Sequence, residues 1–220
     1  MDKNDANRVV DFIYRKLYAH YGELKWWPAQ SPYEVMVGAV LTQNTAWSNV
    51  EKAIGNLGDR LSPEYIEKLD LQDLCTQIRP AGFFNQKAVY LKELTAWYKQ
   101  YDYSVGIVQQ KDQDDLRREL RSLKGIGNET ADAILLYAFQ FPSFVVDAYT
   151  KRLLERFPLH VKLDYFSVQS FFEANIPKSV DQYNQFHALI VIHAKEHCKA
   201  KPKCEGCPLE KECRFPVDAL

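Results

Sequence analysis

Nowhere in the 220 residues does an apolar run approach the roughly 18 that a membrane-spanning helix needs. The longest tight runs, such as Ala133 to Phe139, have the length of a core helix. With 9 Gly and 10 Pro the chain has too little of either for collagen-like or low-complexity classes. Neither charge sign is in excess: 28 basic against 29 acidic residues leave a net charge of −1. No global field therefore favours a nucleic acid, and any such contact must be local. Strict alternation of useful length is missing, and Phe144-Val145-Val146 is too brief to read as a strand. The N-terminus, MDKNDANRVVDF, is charged and lacks the apolar stretch of a signal peptide, so a soluble, cytoplasmic protein with no membrane partner is expected. What is plentiful is apolar surface. At 46% hydrophobic and 13% aromatic, disorder is excluded as the dominant state.

Helical periodicity dominates. Val9, Phe12, Ile13 and Leu17 recur at helical spacing, as do Val35, Val37, Val40 and Leu41, and Leu91, Leu94, Trp97 and Tyr98. Ser31-Pro32 and Ser62-Pro63-Glu64 each open a helix, with proline in the first turn where its missing N–H costs nothing. Connections are short and no repeat is visible, which fits a compact all-α fold. The segments Pro28 to Pro32 and Gln140 to Asp147 read as crossovers between two lobes.

The tail reads HCKAKPKCEGCPLEKECRF, with the spacing C-x5-C-x2-C-x5-C over Cys198, Cys204, Cys207 and Cys213. Four thiols this close in a reducing compartment imply a metal centre. Four-Cys zinc and a [4Fe–4S] cluster both fit, and composition alone favours zinc, although zinc ribbons usually show two C-x2-C knuckles and one is present. Lys199, Lys201, Lys203, Lys211 and Arg214 against Glu205, Glu210 and Glu212 make a modest basic patch suited to phosphates. Cys75 reads as a buried apolar residue.

Residues 123–131, LKGIGNETA, read as a tight turn between two helices. Gly125 and Gly127 are expected to adopt backbone conformations that a Cβ would forbid. Such a turn offers the free N–H groups of the next helix to a phosphate. Asp147 follows in VVDAYTKR, where it can cap a helix, face a cleft, or do both.

The hairpin, the Asp about twenty residues on and the four-Cys tail together resemble the helix-hairpin-helix DNA glycosylase superfamily, in its endonuclease III branch. The likeness runs from about Trp26 to Cys213. The spacing between the first two Cys departs from it, with five residues where the family usually has six. The resemblance implies an all-α fold of two helical lobes flanking a DNA-binding cleft: 29–138 with the hairpin, and 1–28 plus 139–220 with the cluster loop at 198–213. It implies that the four Cys hold a [4Fe–4S] cluster rather than zinc. It also implies a monomer, associated with the nucleoid of a bacterial or archaeal cell, that acts on double-stranded DNA containing a damaged base. Lys124, Gly125, Gly127, Asn128 and Thr130 of the hairpin are the implied backbone contacts.

In bifunctional members a lysine just before a threonine opens the second hairpin helix and forms a Schiff base. Here Glu129 precedes Thr130, and a carboxylate cannot make an imine. A monofunctional glycosylase without lyase activity is expected, with Asp147 as the essential acid that activates water or stabilises the cationic sugar.

The stretches WWPAQSPYEVMVGAVLTQNTAW, RPAGFFNQKA and KGIGNETADAILLYA look like the bacterial 3-methyladenine DNA glycosylases of the endonuclease III type. That likeness implies a base pocket of Trp26, Trp27, Pro28, Trp47 and Glu129, able to stack a cationic alkylated purine by cation–π attraction. It implies that Gln43 fills the gap left by a flipped nucleotide and that Phe83 is the wedge, with Phe84 as the alternative. Two other readings remain: a uracil or thymine mismatch glycosylase of the same fold, and a DNA-binding or redox-sensing iron-sulfur protein without turnover.

Overall fold

The computed structural model describes residues 3–24, 26–157 and 161–214. Among them every regular element is helical. The chain divides into two compact units, one of residues 27–141 and one built from the chain on either side of it.

The central unit holds α2 (Pro32–Leu41), α3 (Trp47–Leu57), α4 (Pro63–Lys68), α5 (Leu71–Gln77), α6 (Phe84–Lys99), α7 (Val105–Val108), α8 (Gln113–Ser122) and α9 (Asn128–Ala133). The punctuation of the sequence explains the starts. Ser31 accepts from the Glu34 N–H at 3.1 Å and Ser62 from the Tyr65 N–H at 3.1 Å, each followed by a first-turn proline. Helix α2 is buried almost all round, with Met36, Val37, Val40 and Leu41 fully covered. It packs on α6 and on a π-helical turn, Ile134–Ala138, that continues α9. Each such aliphatic side chain stabilises the fold by roughly 1.5–3 kcal/mol.

The second unit comprises α1 (Lys3–Tyr21), α10 (Ala148–Glu155), α11 (Tyr165–Asn175) and α12 (Val180–Glu196), followed by the cysteine loop. The face that α1 buries is Val10, Ile13 and Leu17. Val9 and Phe12, which share their spacing, are only partly covered, and Phe12 lies under the Lys16 ammonium at 5.6 Å. The apolar run Phe144 to Val146 is a buried extended segment without a strand partner. Side chains of α11 satisfy its backbone: the Phe144 N–H donates to Glu173 Oε1 at 2.9 Å and Gln169 Nε2 donates to the Phe144 carbonyl at 2.9 Å. Phe144 stacks on Phe172 at 4.4 Å and meets Tyr183 edge-on at 5.6 Å, which makes this segment the aromatic centre of the unit.

Candidate functional site

The hairpin turn lies between α8 and α9. Gly125 has φ +79, and a Cβ there would lie 2.3 Å from the Tyr90 ring, so only glycine fits. Gly127 does not share this constraint. Its φ −87 and ψ −175 are ordinary extended backbone, and a Cβ would meet nothing within 4 Å. The expectation that both glycines are conformationally required is thus corrected at Gly127, which caps α9 without a side-chain acceptor and leaves the helix start open. The hairpin is braced from behind. Arg117 binds Asp132 through two bonds of 2.7 and 2.8 Å and reaches Asn128 Oδ1 at 3.5 Å, while the Lys124 N–H donates to Glu93 Oε2 at 3.1 Å. The Lys124 and Glu129 side chains are exposed, Asn128 is half-buried and Thr130 is buried.

Gln43 reaches this turn from the loop after α2. Its Nε2 donates to the Gly125 carbonyl at 2.9 Å and to Thr130 Oγ1 at 3.0 Å. Phe83 stands at the start of α6 with φ +46, a conformation bulky side chains rarely hold, and is 66% exposed. Phe84 is half-buried with the Arg79 guanidinium 5.8 Å from its ring. The two adjacent phenylalanines, equivalent in sequence, are therefore different in structure.

Trp27 and Trp47 meet edge to face, their centroids 5.3 Å apart, and Tyr137 of the π-helical turn lies 5.4 Å from Trp27. Gly38 makes room for Trp27, since a Cβ there would come within 3.4 Å of the indole. Trp47 Nε1 donates to Glu51 Oε1 at 3.0 Å, and Pro28 is exposed. Trp26 belongs to the other unit. Lys195 lies 5.5 Å from its ring centroid, and its carbonyl accepts from Asn184 Nδ2 at 2.7 Å. Tyr137 was not foreseen, because in ILLYAF it is one more apolar residue of a core helix.

Asp147 caps α10. Its Oδ1 accepts from the Thr150 N–H at 2.7 Å and the Thr150 hydroxyl at 2.9 Å, and its Oδ2 faces His187 Nε2 at 3.5 Å. Burial works to raise its pKa, but His187 and Thr150 outweigh burial and hold the carboxyl below the ordinary 3.8. The group is an anion at neutral pH with one oxygen committed to the cap. His187, buried on α12, is the second residue that sequence reasoning missed: in FHALIVIHA nothing distinguishes it from His193 or marks the carboxylate it faces.

Cys198, Cys204, Cys207 and Cys213 are free thiols that line one cavity together with Arg156, His193 and Leu209. Arg156 Nη1 lies 3.0 Å from Cys198 Sγ, Arg152 Nη1 donates to the Cys198 carbonyl at 3.1 Å, and the Arg214 N–H donates to the Arg156 carbonyl at 2.8 Å. Burial pushes the Cys207 thiol up to about 11 and raises Cys198 despite Arg156. A metal centre would have to displace these protons. Four soft donors beside two guanidinium groups suit a group of net negative charge held by thiolates. Lys199, Lys201, Lys203, Lys211 and Arg214 are all exposed. Nearby, ligand atoms of His20, Glu196 and His197 lie within 4.8 Å of one another.

The family described as HhH-GPD superfamily base excision DNA repair protein matches residues 37–177. A protein of Methanocaldococcus jannaschii, provisionally named a DNA repair glycosylase, is 46% identical over 216 residues, 96% of this chain and 98% of the relative. Among solved structures, H. pylori 3-methyladenine DNA glycosylase bound to 1,N6-ethenoadenine is 29% identical with a TM-score of 0.71, over 89% of this chain and 98% of that one. A trapped endonuclease III–DNA covalent intermediate shares the fold, with a TM-score of 0.78 at 24% identity over 94% and 95% of the two chains. The family match over most of the chain and the relative at 46% identity show that this protein belongs to the HhH-GPD superfamily of base excision DNA repair proteins.

Proposed function

We propose that this protein is a monofunctional DNA glycosylase that hydrolyses the N-glycosidic bond of N-alkylated purines, such as 3-methyladenine, in double-stranded DNA. One observation carries the reaction type: the residue before Thr130 is Glu129, which cannot form an imine with the sugar. Water is then the nucleophile. Asp147, held as an anion by Thr150 and His187, orients it and stabilises the cationic sugar that forms as the base departs. An alkylated purine carries positive charge and leaves readily, so recognition can rest on electron-rich rings. Trp27 and Trp47, already paired, supply two such faces, each worth about 0.5–2 kcal/mol toward a cation. Trp26, Pro28 and Glu129 complete the assignment, the last by its charge. The substrate class is also that of the H. pylori relative.

Lys124, Gly125, Gly127, Asn128 and Thr130 form the hairpin assigned to the DNA backbone, with the open start of α9 suited to a phosphate. Gln43 is assigned to the gap left by the flipped nucleotide. Phe83, exposed and in a strained conformation, is assigned as the wedge in preference to Phe84. The four cysteines are assigned to a [4Fe–4S] cluster, with zinc as the alternative that iron and zinc analysis would decide. When bound, the cluster supplies a cross-link for the loop and a one-electron centre.

The test is release of free base from methylated duplex DNA, read by chromatography, with borohydride trapping in parallel. The wild type is expected to release 3-methyladenine without a trapped adduct, and Asp147→Asn to lose about 100- to 10,000-fold in rate. Release of uracil or thymine but no methylated purine would replace this reading with a mismatch glycosylase. A trapped wild-type adduct would overturn the monofunctional assignment.

A further inference from the structure

Lys87 lies in the first turn of α6, and it is 2% exposed. Its ammonium has three N–H groups and all three are used: Nζ donates to the Leu41 carbonyl at 2.8 Å, Thr45 Oγ1 at 2.8 Å and the Ala81 carbonyl at 2.9 Å. The Thr45 hydroxyl closes the network by donating to the Ala81 carbonyl at 2.5 Å. Leu41 ends α2, and Ala81 ends a 3-10 turn, Arg79–Ala81, so both carbonyls sit where a helical turn concentrates negative charge.

The acceptors come from two loops remote in sequence. One runs from Leu41 through Gln43 to Thr45; the other ends two residues before Phe83. The first is also tied to the hairpin, through the bonds from Gln43 to Gly125 and Thr130. One buried cation therefore fixes the two loops against each other, and through Gln43 the first of them also holds the hairpin; the loops carry the residue assigned above to the gap and lead into the one assigned as the wedge. Burying a charge is costly, and packing alone could be met by an apolar side chain. What an apolar side chain cannot do is join three oxygens from two loops at one point.

We propose that Lys87 is a positioning residue for lesion capture: it sets the spacing of Gln43 and Phe83, so that both enter the duplex together. The proposal rests on the assignment of Gln43 and Phe83 under the glycosylase reading. Its effect falls on extraction of the nucleotide, not on bond cleavage. A displacement of about 1 Å in such a device costs on the order of 100-fold.

The experiment uses the full-length protein with its metal centre and two readouts. The first is base release from alkylated adenine in an intact duplex and in the same strand unpaired. In Lys87→Met the duplex rate is expected to fall about 10- to 100-fold, while the single-strand rate stays near that of wild type. The second readout needs no turnover: fluorescence of 2-aminopurine placed opposite a tetrahydrofuran abasic analogue, which rises when a wedge unstacks it. The rise is expected in wild type and lost in Lys87→Met. Thr45→Val, which removes one acceptor at constant size, is expected to follow Lys87→Met, and Thr45→Ser to restore wild-type behaviour. These two variants carry the test if Lys87→Met does not fold. Equal losses on duplex and single strand, or an unchanged fluorescence rise in Lys87→Met and Thr45→Val, would overturn the proposal. A wild type that unstacks the probe through Lys87 and Thr45 but releases no base would overturn the glycosylase reading alone and support this one.

Discussion

A methyl group at residue 125 would run into the Tyr90 ring, whereas at residue 127 it would enter open space. Gly125→Ala is therefore expected to destabilise the protein by about 1–3 kcal/mol, from both the clash and the positive φ. Gly127→Ala meets no clash and should cost no more than about 1 kcal/mol of unfolding free energy, that of alanine in place of glycine at the N-cap. If the start of α9 binds a phosphate, Gly127→Ala will weaken duplex binding all the same. A large stability loss at Gly127, in chemical denaturation, would contradict the geometry. The sequence pattern G-x-G treats the two alike because it records residue type and not what lies above the turn. Asp147 shows the same limit. Its type and position suggested a cap or a catalytic acid, and the structure supplies the cap directly, but His187 is forty residues away in sequence. The carboxyl's folded pKa lies below 3.8, so its ionised form stabilises the fold above that value, and the contribution is lost as the pH falls through the folded pKa. Asn can still cap α10. Asp147→Asn should thus be less stable than wild type at pH 7, and the gap should narrow as the pH falls below 3.8. A pH-independent difference in denaturation would show that the charge is not held as described.

At the scale of elements, helix starts were the most legible feature, because a Ser–Pro pair states both the capping acceptor and the missing donor in two letters. The π-helical turn at Ile134–Ala138 and the extended segment at Phe144 to Val146 were not legible. Both are set by what packs against them, Trp27 on Tyr137 in one case and the α11 side chains in the other. Helix α9 tests the reaction type. Glu129 sits exposed in its first turn. A lysine substituted there would keep its proton in solvent near the ordinary value, and an ammonium is no nucleophile. Glu129→Lys is therefore expected to give no borohydride-trapped complex with DNA and, with its new positive charge at a helix start, to lose about 0.3–1 kcal/mol of stability. A trapped adduct in this variant would show that the local environment lowers an amine pKa, and would weaken the argument from Glu129.

At the scale of the whole molecule a net charge of −1 hides a local arrangement. The exposed Lys199, Lys201, Lys203, Lys211 and Arg214 are carried on a loop of turns without a helix or strand, and the thiols are the natural points at which a metal would tie it together. The spacing made the grouping of the four cysteines legible, and they do line one cavity, but not the guanidinium groups of Arg152 and Arg156 that reach Cys198 from α10 and its C-terminal end. The central unit of residues 27–141 has its own core, and the residues that line the cysteine cavity all belong to the other unit. If the thiols hold the proposed metal centre, Cys207→Ser should leave hydrogen-exchange protection within α2 and α6 unchanged while protection in 198–213 collapses. The basic side chains would then no longer be held in place, and duplex binding should weaken. Its dependence on salt should also become shallower, by about 0.9 in the log–log slope for each phosphate that is no longer neutralised. Weaker binding with an unchanged slope would assign the loop a structural role without a bond to phosphate. Unchanged binding by Cys207→Ser would remove the loop from the DNA interface and leave the hairpin as the principal anchor on the DNA backbone.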